Sequence, residues 1–424
     1  MLTAIVGINW GDEGKGRMVD LLSKEYKIVV RYQGGNNAGH TVVNEKGKFV
    51  LNLLPSGILR DDTVNVMGPG MVIDVEHLYN EVKTLREGGI NITPANLKIS
   101  DRATICMPYH KLLDCLEEDR LGDAKFGSTR RGIAPSYSDR YMKKALRLGD
   151  LLDMDYLRSR LEGIVEWKNL TVVGGYNAEE VTLEGCMEWL EKYGGFFREF
   201  ICDTTEFLGN AAKNDEKIMF EAQLGALRDI DFGIVPYTSS SSTIAAYAPV
   251  GAGVPGCKLD CTVGIMKAYS SCVGEGPFTC ELFGEKGHEL REAGGEYGAA
   301  TGRPRRVGGF DIPASRYGVM IQGATELALT KLDVLSYLKE IPVCVAYDID
   351  GEITQSFPSG DRLKRAKPVY EYLEGWCSDV SGCRRFEDLP AKAQEYIRYV
   401  EKAVDCKIKY VSVGPDRDQY MVLD

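Results

Sequence analysis

The sequence predicts an α/β protein with a central, mostly parallel β-sheet covered by helices on both faces. Three observations predict it. Short apolar runs rich in β-formers alternate along the chain with amphipathic stretches of helical period, the pattern of a parallel sheet buried on both sides. The first run, Leu2 to Ile8, leads into a glycine-rich turn and then a helix start at Met18–Leu22. Four strongly polar motifs each follow a predicted strand, and ligands gather at the carboxyl ends of strands in such sheets.

The elements follow in order. After Leu2–Ile8, strands are predicted at Ile28–Arg31, Asn65–Met67, Lys98–Ser100, Ile218–Glu221, Leu327–Thr330, Pro342–Tyr347 and Ile408–Ser412. Asp74 is a good N-cap for a helix with Val75, Leu78, Val82 and Leu85 on one face, and Gly88 stops it. The stretch from Leu151 to Asn214 reads as mostly helical and carries no site motif. Asp388 and Pro390 open a last helix with Ala393, Ile397, Val400 and Val404 on one face.

Charge and composition exclude several classes. A net charge of −11 argues against a broad nucleic-acid or anionic-membrane surface, though not against a small basic pocket. No apolar run approaches the roughly 20 residues needed to span a bilayer. The N-terminus enters a strand at once, without a basic leader region. The twelve cysteines are scattered; Cys257 with Cys261, and Cys377 with Cys383, lack zinc-site spacing and nearby histidines. They read as small apolar residues of a protein in a reducing cytoplasm.

The chemistry concentrates in a few stretches. Gly7-Ile-Asn-Trp-Gly-Asp-Glu-Gly-Lys-Gly-Arg17 places glycines between strand and helix, so backbone N–H groups and a helix N-terminus face one anion. It lacks the hydroxyl of the usual Gly-x4-Gly-Lys-Ser/Thr loop and carries Asp12 instead, a carboxylate set among nucleotide phosphates. Arg31 to Thr41 packs glycines, Asn36, Asn37 and His40 into one loop. Of the four histidines, His77 and His288 read as surface residues and His110 as structural, which leaves His40 as the acid or donor near phosphate. In Thr330-Lys-Leu-Asp333 a carboxylate can accept from the ring N–H and exocyclic amine of guanine, a pattern adenine does not offer. Val411 to Arg417 ends the last strand in a sharp turn that either closes the base pocket or only terminates the sheet. Two basic stretches, Gly127-Ser-Thr-Arg-Arg-Gly132 and Thr301-Gly-Arg-Pro-Arg-Arg306, offer hydroxyls and arginine forks to phosphate or carboxylate.

Together these motifs, in order from residue 2 to residue 417, resemble the adenylosuccinate synthetase family. The resemblance implies one large domain over residues 1–424, distantly like the P-loop nucleotide-binding folds. It implies a homodimer whose active site is completed by the partner chain. It also implies the joining of IMP and L-aspartate in two steps, with GTP first phosphorylating O6 of IMP and the aspartate amine then displacing that phosphate. Asp12 matches the catalytic base, His40 the residue that assists phosphoryl transfer, and Lys15 the cation that neutralises the migrating group. GTP would contact Gly11, Glu13, Gly14, Lys15, Gly16, Arg305, Lys331, Asp333, Ser412 and Gly414. IMP would be held by Asn37, Thr129, Lys143, Gln223, Ser239 and Arg303, and aspartate by Thr301 and Arg303. Mg²⁺ would bind Asp12 and the carbonyl of Gly39, with GTP as co-substrate.

The chain departs from the family pattern on the IMP side. Leu224 stands where the family has an IMP-contacting glutamine, with Gln223 one residue early, so either the loop shifts register or one contact is lost. Arg130 replaces a glycine, Lys143 an arginine lent to the partner's site, and Ser239 a threonine. The same chemistry on another 6-oxopurine monophosphate, such as GMP or dGMP, stays open at this point, as does a non-catalytic GTP-binding paralogue.

Overall fold

The computed structural model describes residues 1–44, 47–298 and 302–423. Ten strands form the central sheet: β1 Leu2–Gly7, β2 Ile28–Arg31, β3 Val64–Met67, β4 Leu97–Ser100, β5 Ile201–Cys202, β6 Ile218–Glu221, β7 Cys261–Lys267, β8 Glu326–Thr330, β9 Ile408–Ser412 and β10 Tyr420–Val422. Their order across the sheet is β10-β9-β8-β7-β1-β6-β2-β3-β4-β5. Every neighbouring pair is parallel except β9 with β10. The chain runs outward from β1 to β5, returns to insert β6 beside β1, and then builds the other wing from β7. The direction reverses at β1, which makes its carboxyl end the switch point where a ligand crevice forms.

The apolar runs form strands because both faces of this sheet are covered. Within β1, Ala4 and Val6 pack on one side with Leu208 and Ala248, while Ile5 packs on the other with Met18, Val19 and Leu21. That alternation is the pleat of a strand. Met18, Val19 and Leu21 belong to α1 (Lys15–Leu22), and burying each contributes about 2 kcal/mol to seating it. The N-terminus of α1 is thereby held at the switch point.

The predicted helices are present. Asp74 caps Val75–Glu87 by accepting from Glu76 N and His77 N, and Gly88 ends it. The last helix runs Ala391–Val404 with the expected face buried. The 151–214 stretch is mostly helical but also supplies the edge strand β5, only two residues long and too short to show a period. Pro342–Tyr347 lies within a strand, Glu340–Ile349, which belongs to a separate sheet and pairs antiparallel with Lys367–Glu374. All twelve cysteines are free. Among the described residues, no helix is long and apolar enough to cross a membrane.

His288 is exposed as expected, but His77 is partly covered and its ring meets Asn52 Oδ1 at 3.1 Å. His110 is fully buried and neutral: Nδ1 accepts from Met107 N (2.9 Å), Nε2 meets Asp139 Oδ2 (2.8 Å), and Asp139 Oδ1 accepts from Lys168 Nζ (2.6 Å). Burial lowers its pKa and outweighs the Asp139 contact. The unfolded chain therefore gains a proton at this position, as pH falls below about 6.5, that the folded chain resists, so its share of stability is lost on acidification. Thermal melts should show the gap between wild type and His110→Gln narrowing from about pH 7.5 to about pH 5.5. A constant gap would show that His110 takes no part in acid sensitivity.

Candidate active site

The loop after β1 is shaped by a carboxylate turned inward. Glu13 Oε1 accepts from Asn9 N (3.1 Å) and Gly11 N (2.8 Å), and Oε2 accepts from Lys15 Nζ (2.6 Å). Glu13 and Lys15 are both buried, whereas Asp12, at φ 59°, projects outward with its side chain about one-third exposed. Aspartate tolerates that left-handed conformation better than most residues. Gly14 caps α1 at φ 96°, and neither a side-chain cap nor an acidic residue blocks the first turn. The open N–H groups and the helix dipole suit an anion there.

His40 sits against the start of α1. A Cβ on Gly16 would lie 2.8 Å from His40 Cβ, so glycine is required for the approach. His40 Nδ1 meets Glu221 Oε1 at 2.6 Å, and Glu221 also accepts from Ser56 N (2.7 Å) and Ser56 Oγ (2.6 Å). Burial lowers the His40 pKa against the pull of Glu221. Burial also opposes ionisation of Glu221, but His40, Arg31 and Ser56 prevail and hold its pKa below the ordinary value. The pair is thus neutral imidazole and carboxylate, with Nδ1–H donating to Glu221 and Nε2 left with its lone pair.

Across the loop, Arg305 bridges two carboxylates. One nitrogen lies 3.1 Å from Asp12 Oδ2 and another 2.9 Å from Glu296 Oε2. Lys331, at φ 60°, places Nζ on Gly294 O (2.5 Å) and Glu296 Oε1 (3.2 Å). Thr330 Oγ1 donates to Glu13 O (2.8 Å) and so ties this turn to the first loop. Asp333 Oδ1 is buried and accepts no hydrogen bond from the described residues. Burial raises the Asp333 pKa, with Lys331 and Arg17 acting against it. An acceptor left open in a covered position is what a donor-rich base edge would satisfy.

Ser412 and Gly414 close this end through Arg17, which donates to Ser412 Oγ (2.5 Å), Gly414 O and Asp416 O (2.5 Å). Arg417 returns the tie with a two-pronged contact to Asp20 (2.7 and 2.5 Å). The final turn therefore packs on α1 and does more than terminate the sheet.

The other end is more open. Asn37 and Gly39 are half-buried, and Asn37 Oδ1 accepts from Gly35 N (3.3 Å). Ser239 Oγ pairs with Ser241 Oγ (3.2 Å). Thr129 and Lys143 are exposed, and Arg130 is drawn to Asp119. Arg303 is exposed and reaches Glu275 (3.2 Å), while Thr301 lies outside the described residues. Gln223 is fully buried: its amide nitrogen donates to Gly35 O (2.7 Å) and Asn52 O (3.1 Å), its backbone carbonyl accepts from Gln33, and its Oε1 accepts no hydrogen bond from the described residues. Leu224 follows it, half-buried at φ 60°, with its Cα 3.4 Å from where a Gly11 Cβ would lie.

The sequence did not single out Glu221, Glu296, Lys267 or Arg17 as site residues. Glu221 meets His40 181 residues away, Lys267 meets Glu296 29 residues away and Arg17 meets Ser412 395 residues away, so no local pattern marks these pairings. Arg17 closes the first glycine-rich stretch and Glu221 ends a predicted strand.

A helix N-terminus with open N–H groups, an exposed carboxylate beside it and a buried carboxylate oxygen left without a partner suit a nucleotide-using α/β enzyme. Comparison with known proteins gives the same answer. The family model described as adenylosuccinate synthetase matches residues 4–421. An adenylosuccinate synthetase of Streptococcus gordonii is 44% identical over 99% of this chain and 97% of its own length. One from Caldanaerobacter subterraneus is 43% identical over 100% and 99%. The fully ligated adenylosuccinate synthetase of Plasmodium falciparum superposes with TM-score 0.93 at 36% identity, covering 100% of this chain and 99% of that one. The cyanophage S-2L succinoaminodeoxyadenylate synthetase, solved with dGMP and dATP, superposes at TM-score 0.62 and 18% identity over 99% and 95%, a likeness of fold alone. The chain belongs to the adenylosuccinate synthetase family. It is a GTP-dependent ligase that joins IMP and L-aspartate to give adenylosuccinate.

Glu221→Gln should lower kcat by about 10²-fold while leaving the KM for GTP nearly unchanged. Glutamine offers one acceptor and one donor group where His40 and both Ser56 donors need acceptors. Steady-state kinetics alongside a thermal melt checks this, and an unchanged kcat would separate Glu221 from the chemistry.

Proposed function

We propose that Asp12 is the base that takes the N1 proton of IMP, which makes O6 nucleophilic toward the γ-phosphorus of GTP. The O6–P bond forms as the bond to GDP breaks. The aspartate amine then attacks C6, the C6–O bond breaks, and phosphate leaves. The observation that carries this reading is the placement of the exposed Asp12 carboxylate beside the uncapped N-terminus of α1, with Arg305 against it. The γ-phosphoryl group meets Lys15 and the N–H groups of the Gly11–Gly16 loop, whose geometry Glu13 sets. Lys15 is buried against Glu13, so it reaches the phosphoryl group as part of that pair. The arriving polyanion favours protonation of His40, and Glu221 stabilises the resulting imidazolium, so that Nε2 donates to the moving oxygens.

The guanine ring lies between Lys331 and the Ser412–Gly414 turn, with Asp333 accepting from N1–H and the 2-amino group. IMP is held by Asn37, Thr129, Ser239 and Arg303, and L-aspartate by Arg303 and Thr301. Leu224 gives the base an apolar contact where a polar one would otherwise lie. Asp12 and the Gly39 carbonyl are hard oxygen donors that fit Mg²⁺. The described residues hold no cluster of three protein ligands, so phosphate oxygens would complete the shell. When bound, the ion neutralises charge on the phosphates.

The protein works as a homodimer of single-domain chains in the cytoplasm, with Lys143 reaching the partner's IMP site. Support comes from Tyr141 and Met142, two exposed apolar side chains beside Lys143.

The decisive assay measures GDP release with GTP, Mg²⁺ and L-aspartate while the acceptor is varied among IMP, GMP and dGMP. Turnover with IMP and not with the guanine nucleotides is expected; turnover only with GMP or dGMP would overturn the acceptor assignment. Asp12→Ala should leave GTP binding nearly intact and reduce turnover below about a tenth of normal. Asp333→Asn should weaken the preference for GTP over ITP and XTP, and an unchanged preference would remove Asp333 from the base pocket.

A further inference from the structure

Glu296 is completely buried, yet none of the steps above uses it. Its carboxylate gathers four donors from three separate segments. Oε1 accepts from Lys267 Nζ at the end of β7 (2.8 Å), from Tyr269 OH, and from Lys331 Nζ in the turn after β8 (3.2 Å). Oε2 accepts from Arg305 (2.9 Å), whose backbone N–H also donates to Glu296 O (2.9 Å). Three cations thus converge on one carboxylate, and the Arg305 guanidinium extends from it to Asp12. We propose that Glu296 is a positioning residue that couples the guanine-reading turn to the placement of Arg305 beside Asp12.

Two consequences of the geometry support this. Lys331 lies two residues before Asp333, and its charge acts on that carboxylate. With Nζ anchored on Glu296 and Gly294, the lysine is kept from pairing with Asp333, whose Oδ1 stays open for the base. Arg305, for its part, is fixed through one nitrogen so that another faces Asp12. Without Glu296, Lys267, Lys331 and Arg305 would repel one another with no buried counter-charge, and the two ends of the site would lose their common anchor. Burial disfavours the charged form, but Lys267, Lys331 and Arg305 outweigh it and hold the Glu296 pKa well below the usual carboxylate range. The anchor is therefore ionised at any working pH.

The inference rests on the assignment of Lys331, Asp333 and Arg305 to the GTP end, and the test separates the two. Steady-state kinetics on Glu296→Gln should show the KM for GTP raised about tenfold or more and the preference for GTP over ITP reduced, with the KM for IMP changed less than about twofold. A general loss of structure would move all three together. Tyr269→Phe removes one donor to Glu296 and keeps the ring, so it should shift the GTP parameters in the same direction by a smaller factor; it decides the matter if Glu296→Gln fails to fold. An unchanged KM for GTP and unchanged GTP preference in a folded variant would overturn the coupling. A wild-type enzyme indifferent to GTP, or an Asp333→Asn variant with full GTP preference, would instead overturn the site assignment beneath it.

Discussion

Glu13 folds its carboxylate back under the loop that carries it, and the geometry of the phosphate end follows from that one choice. The two oxygens satisfy Asn9 N, Gly11 N and Lys15 Nζ in a nearly water-free position. A buried pair of this kind gains little net stability, but removing one partner leaves an uncompensated charge at a cost of about 3–5 kcal/mol. The loop is thereby locked with Asp12 turned outward and the first-turn N–H groups of α1 uncovered. A loop free to relax would bring its own acceptors to those N–H groups and extinguish the anion site. The Thr330 hydroxyl on Glu13 O carries the same constraint to the turn after β8.

The order of strands explains why such distant segments meet. β1 is flanked by β7 and β6, and β8 lies beyond β7. Loops leaving the carboxyl ends of these parallel strands therefore crowd one edge. β1 supplies Asp12, β6 ends in Glu221, β7 ends in Lys267, and β8 leads to Lys331 and Asp333. An antiparallel arrangement would send alternate loops to the opposite edge and separate the carboxylates from their cations.

Most of the frame was legible in the sequence because burial on both faces writes itself as apolar runs. Ile28–Arg31, Ile218–Glu221 and Ile408–Ser412 coincide with strands residue for residue. Pro342–Tyr347 was legible as a strand but not as a member of a second sheet, since pairing partners leave no mark on a short apolar run. Ile201–Cys202 was not legible, because two residues show no alternation. At the site, glycine and charge marked the loops that touch solvent or ligand. The inward carboxylates of Glu221 and Glu296 were invisible, since a lone glutamate beside apolar residues looks like any surface residue until its partners fold against it. Gln223 shows the converse. Its motif marks it as a ligand contact, but that its amide nitrogen also ties the Gly35 and Asn52 carbonyls follows only from segments brought together by the fold.

The two ends of the site differ in how far the chain completes them. At the end where we propose that GTP binds, Glu13, Lys15, Glu221 and Glu296 are buried and paired, so the geometry stands before any ligand arrives. At the end proposed for the acceptor, Thr129, Lys143 and Arg303 are exposed. Rigid placement suits phosphoryl transfer, where catalysis is chiefly positioning and charge stabilisation and a small displacement is costly. Looser placement suits groups that grip a monophosphate and an amino acid only as those ligands bind. Arg130 and Lys143, two of the departures read from the sequence, are exposed as well, where a change of side chain leaves the buried charge network untouched.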